Sequence, residues 1–487
     1  MTDAALILLC LLIPVVGTIA IAAAGKAPNL RETITLASGA ALLIMVLQLA
    51  DRVFDGAKPE TSMLTIVEGV DIAFSVEPLG MLFAIIASGL WIVNSIYSIG
   101  YMRGNNEPRQ TQFYVCFAVA IVSAIGVAFA ANLVTLFLFY EALTLSTYPL
   151  VTHKGTEEAK RGGRIYLVLL LTTSMFLLLP GIVWTLALTG TTNFTPGGIL
   201  AGKADGLITG ILLALYAFGI GKAAVMPVHF WLPNAMVAPT PVSALLHAVA
   251  VVKAGVFSIL KVVVYIFGID FLAESGQNDW LVIVAGATVV FASLIAMTKD
   301  NLKARLAYST VSQLSYIVLG AALATGIGVI GGGMHIATHA VGKITLFFCA
   351  GAIYTAAHKT EISELDGLGR AMPFTFAAFA IGALSIVGLP PLAGLWSKWY
   401  LAIGALDAGQ LGVIAVLMVS SLLNIAYLLP IPLRAFLAKP ANGKTDGGIR
   451  EAPLPCLVAI GITTLLCLVL FFFPEPLFEL TRMIPLR

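Results

Sequence analysis

The feature that most narrows what this chain can fold into is a succession of apolar runs, each close to the roughly 20 residues a helix needs to cross about 30 Å of hydrocarbon. Fourteen can be marked. The first extends from about Ala4 to Ala24, and the others begin near Thr33, Leu79, Phe113, Asn132, Ile165, Leu207, Pro241, Leu281, Leu306, Gly326, Met372, Leu411 and Pro453. Composition agrees, since 59% of residues are hydrophobic and 11% are charged, where soluble domains carry about a quarter charged. The expected fold class is an all-α polytopic membrane protein with about 14 transmembrane helices. The first run reads as an anchor, because Asp3 stands where a signal peptide would have its basic region and the run is too long for one. A net charge of +2 without a basic-aromatic patch excludes nucleic acid from the expected partners. Cys10, Cys116, Cys349, Cys456 and Cys467 lie inside apolar runs without ligand spacing, and read as small core residues with no disulfide framework.

Basic residues in the connections orient these spans. Loops on one side hold seventeen, among them Lys26, Arg103, Lys154, Lys303, Lys359, Arg434 and Lys444, whereas the other side holds only Arg52, Lys58, Lys203, Arg482 and Arg487. The positive-inside rule places both termini on the non-cytoplasmic side of a plasma membrane. The remaining basic residues are Lys222, Lys253, Lys261, Lys343 and Lys398, all inside apolar runs, while among the acids only Glu141 lies at a segment centre. A lysine at the centre of a membrane helix costs roughly 2.5–3.5 kcal/mol, so such groups mark transport paths more often than they staple helices. Five lysines cannot all pair with one glutamate. The excess is hydrated or neutral part of the time. Lys261 is set apart from the other four, because it lies near the outer end of its helix, where a long side chain can snorkel to the interface.

Two apolar stretches are too long for single straight helices. Leu207 to Met236 has 30 residues and Met372 to Ala405 has 34, about half again the hydrocarbon thickness or more at 1.5 Å per residue. MPVHFWLP interrupts the first after Lys222, and GLPPLAGLW interrupts the second before Lys398. Broken backbone at membrane depth survives only where protein or water satisfies it. Prolines alone could be ordinary kinks, but with a lysine at each break the pair points to an inverted repeat with an ion site at the interruptions. The expected units are 113–267 and 281–436, preceded by a three-helix segment at 1–112 and followed by a C-terminal helix and tail at 437–487.

Between the breaks, MHIATHAVGKITLFF spaces His335, His339 and Lys343 four apart, a shallow line along one helix face. A ladder of neutral and charged histidines can hand on protons near neutral pH. Core histidines bonded to neighbouring helices, or a haem or metal pair, are the alternatives; a metal is disfavoured because no carboxylate or thiolate lies nearby in the sequence. His229 and His247 belong to the first unit. His247 precedes Lys253 by six residues, about 600° of rotation, so the two face apart unless the helix is distorted.

GKAAVMPVHFWLPNAMVAPTPVSALLHAVAVVKAG, FYEALTLSTYPLV, THAVGKITLFFCAG and GLPPLAGLWSKW together resemble the antiporter-like membrane subunits shared by respiratory complex I and the Mrp-type multisubunit cation/proton antiporters, and within that family the D-type subunits of the Mrp antiporters. The resemblance covers nearly the whole chain. It implies that Glu141 and Lys222 form the pair that drives transfer, that Lys253 and Lys343 carry protons along the midplane, and that Lys398 ends the path. FYEAL departs from the family's usual Trp before the glutamate, and VEPLG has Glu77 where Asp is usual. The expected function is a proton-translocating, non-enzymatic subunit of a sodium/proton antiporter, without cofactors, partnered by other subunits of a hetero-oligomer, the lipid bilayer, protons and sodium. Its expected path residues are Glu141, Lys222, His247, Lys253, His335, His339, Lys343 and Lys398. The alternative is a proton-pumping subunit of a complex I-like or hydrogenase-like oxidoreductase. A haem- or quinone-carrying subunit is a third reading, which no CxxCH or cysteine cluster supports.

Overall fold

The computed structural model describes residues 1–67, 70–439 and 448–486; Lys444, Arg487 and part of the expected 437–487 segment lie outside them. Eighteen helices follow in order among the described residues. They are α1 (Asp3–Ala23), α2 (Pro28–Phe54), α3 (Pro78–Gly104), α4 (Gln110–Phe129), α5 (Leu133–Val151), α6 (Glu157–Thr189), α7 (Gly206–Gly219), the short α8 (Trp231–Asn234), α9 (Thr240–Phe267), α10 (Ile269–Ser275), α11 (Asp279–Met297), α12 (Leu302–Ala322), α13 (Gly326–Ala357), α14 (Pro373–Val387), α15 (Gly394–Asp407), α16 (Leu411–Leu437), α17 (Leu454–Phe472) and α18 (Glu475–Arg482). Each apolar run of the sequence is met by one of these helices. Eleven are long and apolar enough to cross a membrane, against about fourteen spans expected. The difference has a local cause, because the runs near Leu207 and Met372 are cut into shorter helices, and the run near Leu306 forms α12, whose Ser309, Thr310, Ser312, Gln313 and Ser315 lower its hydropathy. Side chains at the entries accept from the helices' free amides, Asn132 from Thr135 N at 2.8 Å and Thr325 from Gly328 N at 3.1 Å.

One element departs from the all-α expectation. Strands β1 (Glu60–Val67) and β2 (Val70–Ser75) form an antiparallel hairpin between α2 and α3, and Ala73 O of β2 accepts from Ala131 N just beyond α4. An eight-residue strand carries too little apolar length to register as a span, and its alternation is hidden between two long helices.

The interior is built around α9 and α13, which are wholly buried along their apolar lengths. Association of helices in lipid depends on close packing rather than on hydrophobic burial, so small residues mark the contacts. A Cβ added at Gly331 of α13 would stand 2.7 Å from Leu401 N of α15, and one at Gly404 of α15 would stand 2.7 Å from Gly328 Cα of α13. These two helices therefore meet nearly backbone to backbone. That closeness brings Lys398 and its neighbours to the histidines of α13.

Candidate functional site

Both expected interruptions are present. α7 stops at Gly219 and a 3-10 turn, Gly221–Ala223, follows it, with Ala224 at φ 55°. α14 stops at Val387, with Gly388 at φ 88°, before α15 resumes at Gly394. At the first break the released backbone groups find side chains. Trp231 Nε1 donates to Gly221 O at 2.9 Å, and Lys222 N donates to Tyr140 OH at 3.0 Å. Broken backbone at this depth requires such partners.

The Lys222 side chain is fully buried and sits near the C-terminal end of α7, where the helix dipole favours a cation. Its Nζ donates to Tyr140 O at 2.9 Å and to Thr144 Oγ1 at 2.6 Å, and lies 3.2 Å from the centre of the Tyr140 ring. Glu141, the next residue on α5, is 8% exposed, and neither carboxylate oxygen has a hydrogen-bond partner among the described residues. The two charges expected to pair are thus neighbours without a contact, and the ammonium rests on the turn of α5 that carries the glutamate.

The break also touches α9 directly. A Cβ at Gly255 would run into the backbone of Lys222 and Ala223. We expect Gly255→Val to lower stability by about 1–3 kcal/mol, as overpacking does in a filled interior, and to move the Lys222 turn off Tyr140. Thermal unfolding of the detergent-solubilised protein checks this, and an unchanged midpoint would show that the contact is slack.

On α13 the histidines do share a face. The His335 and His339 rings stack with centroids 5.7 Å apart, and the Tyr316 ring covers His335 at 5.3 Å. Lys253 Nζ of α9 meets His339 Nδ1 at 2.6 Å, and His335 Nδ1 meets Ser397 Oγ of α15 at 2.8 Å. The neighbouring Lys398 donates to Val387 O at 2.9 Å, the carbonyl freed by the second break, and to Ser421 Oγ at 3.2 Å. Lys253, His339, His335, Ser397 and Lys398 therefore run as one buried file from α9 through α13 to the second break. Lys343 branches from that file. Its Nζ donates to Ser309 Oγ of α12 at 2.6 Å, and Ser309 also accepts from Tyr427 OH of α16 at 2.8 Å. Eight residues turn a helix about 80° past a whole number of turns, so the line begun at His335 has swung to another neighbour by Lys343.

His247 is buried with its ring 4.6 Å from Phe347, and neither nitrogen has a hydrogen-bond partner among the described residues. The helix between it and Lys253 is distorted by a π turn at Leu245–Val249 that ends at Ala250, φ −125° and ψ −65°. Both side chains consequently reach α13. The His229 ring lies tilted against Phe230 at 4.1 Å and against Tyr308 of α12 at 6.1 Å. The five cysteines are free, and four are buried.

One expectation is overturned. Lys261 does not snorkel; it is 1% exposed and its Nζ lies 2.7 Å from Glu77 Oε1 and 2.8 Å from Ala130 O. Glu77 at the start of α3 and the connection after α6 pack on this end of α9, with Phe194 4.6 Å from Lys261 Nζ and Thr195 N and Ile199 N donating to Tyr265 O and Ile266 O, so the side chain turns inward to its counter-charge. Tyr140, Thr144, Ser309, Tyr427 and Ser397 were not singled out in the sequence. A signal existed for the first two, since hydroxyls one residue before and three after Glu141 share its turn of α5, whereas the others come from distant segments.

Residues 130–424 match the family described as NADH:quinone oxidoreductase/Mrp antiporter, TM. NADH-quinone oxidoreductase subunit N of Desulforudis audaxviator is 31% identical over 387 residues, which are 78% of this chain and 75% of that protein. The D-type subunit of the Na(+)/H(+) antiporter of Alkalihalophilus pseudofirmus is 26% identical over 480 residues, 97% of this chain and 95% of that one. The chain spans about half the length of several other curated relatives it matches. Among solved structures, a chain of the Mrp complex from Dietzia sp. DQ12-45-1b shares the fold, with a TM-score of 0.88 at 24% identity over 100% of this chain and 97% of that one. With the matched segment taking in both broken helices and the buried file between them, this chain belongs to the NADH:quinone oxidoreductase/Mrp antiporter transmembrane family.

Proposed function

We propose that this chain is the proton-translocating, non-enzymatic subunit of a multisubunit sodium/proton antiporter of the D type. In this reading it sits in a plasma membrane with both termini on the non-cytoplasmic side, is bound to other subunits of a hetero-oligomer, and is built of inverted units at 113–267 and 281–436. The observation that carries the reading is the buried file from Lys253 through His339 and His335 to Lys398, with Lys222 and Glu141 at the other break. In the file Lys253 donates to His339 Nδ1, and the imidazolium that results releases its other proton from Nε2. Neither His335 Nε2 nor His339 Nε2 has a hydrogen-bond partner among the described residues, so the step between the rings calls for a bridging water. Burial and like charge together forbid all these groups from being cationic at once, so a proton arriving at one end displaces one from the other. Lys343 extends the file sideways, to the hydroxyls of Ser309 and Tyr427.

Sodium-driven proton movement in vesicles holding the assembled complex tests the proposal. Lys253→Met is expected to lower exchange at least tenfold while the complex still assembles, and full exchange in that variant would overturn the path. The second reading, a proton-pumping subunit of a redox-driven complex, is favoured by the 31% identity to the subunit N relative. Co-purification of an NADH- or hydrogen-oxidising partner would choose it.

A further inference from the structure

A cavity of about 830 Å³ lies at the C-terminal end of α9, under the hairpin. Its wall includes Glu60, Asp71 and Ser75 of the hairpin, Glu77 at the start of α3, and Lys261 and Tyr265 of α9. A smaller cavity of about 360 Å³ lies at the other end of the same helix, on Thr240, among Lys154, Lys303 and Lys359. α9 has 28 residues, so its ends stand about 42 Å apart, more than the hydrocarbon thickness. The two cavities therefore face opposite membrane surfaces. His247 lies two turns in from the smaller one, Lys253 is near mid-helix, and Lys261 forms part of the floor of the larger.

The Lys261–Glu77 pair is buried at 1% and 5% exposure, yet both residues line the larger cavity, and the path proposed above does not use them. A buried ion pair holds helices together no better than a well-packed apolar pair, and ionisable groups inside a membrane mark ion routes. Phe257 stands between this pair and Lys253, four residues from each and so on the shared face of α9. Its ring lies 5.4 Å from Lys261 Nζ and packs on Phe83 with centroids 5.1 Å apart. The cavity thus ends in a charged pair backed by an aromatic plug.

We infer that this cavity is an aqueous vestibule and that Lys261 with Glu77 is a proton-exchange site at its floor, separated from Lys253 by the Phe257 and Phe83 rings. The inference rests on the proton-transfer reading of the chain. A proton delivered by vestibule water to the Glu77 carboxylate makes a neutral carboxyl and frees the Lys261 ammonium from its counter-charge; when the rings part the ammonium passes its proton through water to a neutral Lys253 amine, and the Glu77 carboxyl then returns its proton to the Lys261 amine, restoring the ion pair. The other charged or titratable groups facing the pair are Lys58 and Glu60 of the hairpin's first arm, Asp71 of its second, and Tyr265.

Two measurements decide it. Ser75→Cys, 7% exposed on the cavity wall, is expected to react with a small membrane-impermeant methanethiosulfonate added to sealed vesicles at the hairpin face and not at the other, above the background of the unsubstituted protein; no reaction from the hairpin face overturns the vestibule. Glu77→Gln combined with Lys261→Met is expected to lower exchange at least tenfold, and exchange within twofold of the unsubstituted complex overturns the exchange site. Should that pair of changes prevent assembly, Glu77→Asp decides, since it is expected to exchange with an altered dependence on pH at the hairpin face alone, and unchanged profiles on both faces overturn the site. If Lys253→Met also exchanges normally, the proton-transfer reading has failed. If Lys253→Met is inactive and the Glu77/Lys261 variants are normal, only this inference has.

Discussion

Replacing Lys222 by Ala, or Glu141 by Gln, is expected to reduce sodium/proton exchange at least a hundredfold without preventing assembly. The ammonium at position 222 rests on Tyr140 O and Thr144 Oγ1, not on the carboxylate, so removing either charge leaves the α5 contact surfaces in place. On the proposed reading, what is lost is an alternation of the ammonium between this seat and the carboxylate. A charge pair about 4 Å apart is worth several kcal/mol at an effective dielectric near 20, which is enough to hold or release a proton as it closes and opens. Thr144→Val is expected to be milder, because one acceptor of the ammonium remains. Exchanging the charges, Glu141→Lys with Lys222→Glu, is expected to give an assembled but inactive protein. A carboxylate in the place of Lys222 would face the Tyr140 carbonyl, which cannot donate, and the seat would repel it. Recovered exchange in that double variant would show that attraction alone suffices and that the switching account is wrong, whereas loss of assembly in the single variants would make the pair a staple.

The other large effect is on stability. Removing one partner of a buried ion pair leaves an uncompensated charge and costs about 3–5 kcal/mol, while replacing both with uncharged side chains of similar volume is nearly neutral. Lys261→Met alone and Glu77→Gln alone are therefore each expected to lower the unfolding midpoint in detergent by the equivalent of about 3–5 kcal/mol, and the double replacement to restore most of it. The single variants test burial and the double tests pairing. If Lys261→Met costs less than about 1 kcal/mol, the 2.7 Å contact with Glu77 contributes little.

What the sequence determined by itself is the order and position of the helices, the two interruptions and the identity of the charges inside them. Hydropathy, proline and glycine act over a few residues, so the stops at Gly219 and Val387 and the fates of Lys222 and Lys398 at the breaks were readable along the chain. Only the tertiary structure decided what each buried lysine touches. Lys253 and His339 meet across 86 residues of sequence and Lys222 and Tyr140 across 82, and which side chains come within 3 Å depends on the rotation of each helix about its axis and on backbone approaches such as Gly404 against Gly328. The same dependence explains where Lys343 and Lys261 end up. Lys343 swings to Ser309 because its helix has turned about 80° past His335. Lys261 is held by Glu77 because α3 and the connection at Phe194–Ile199, distant in the sequence, pack on the end of its helix.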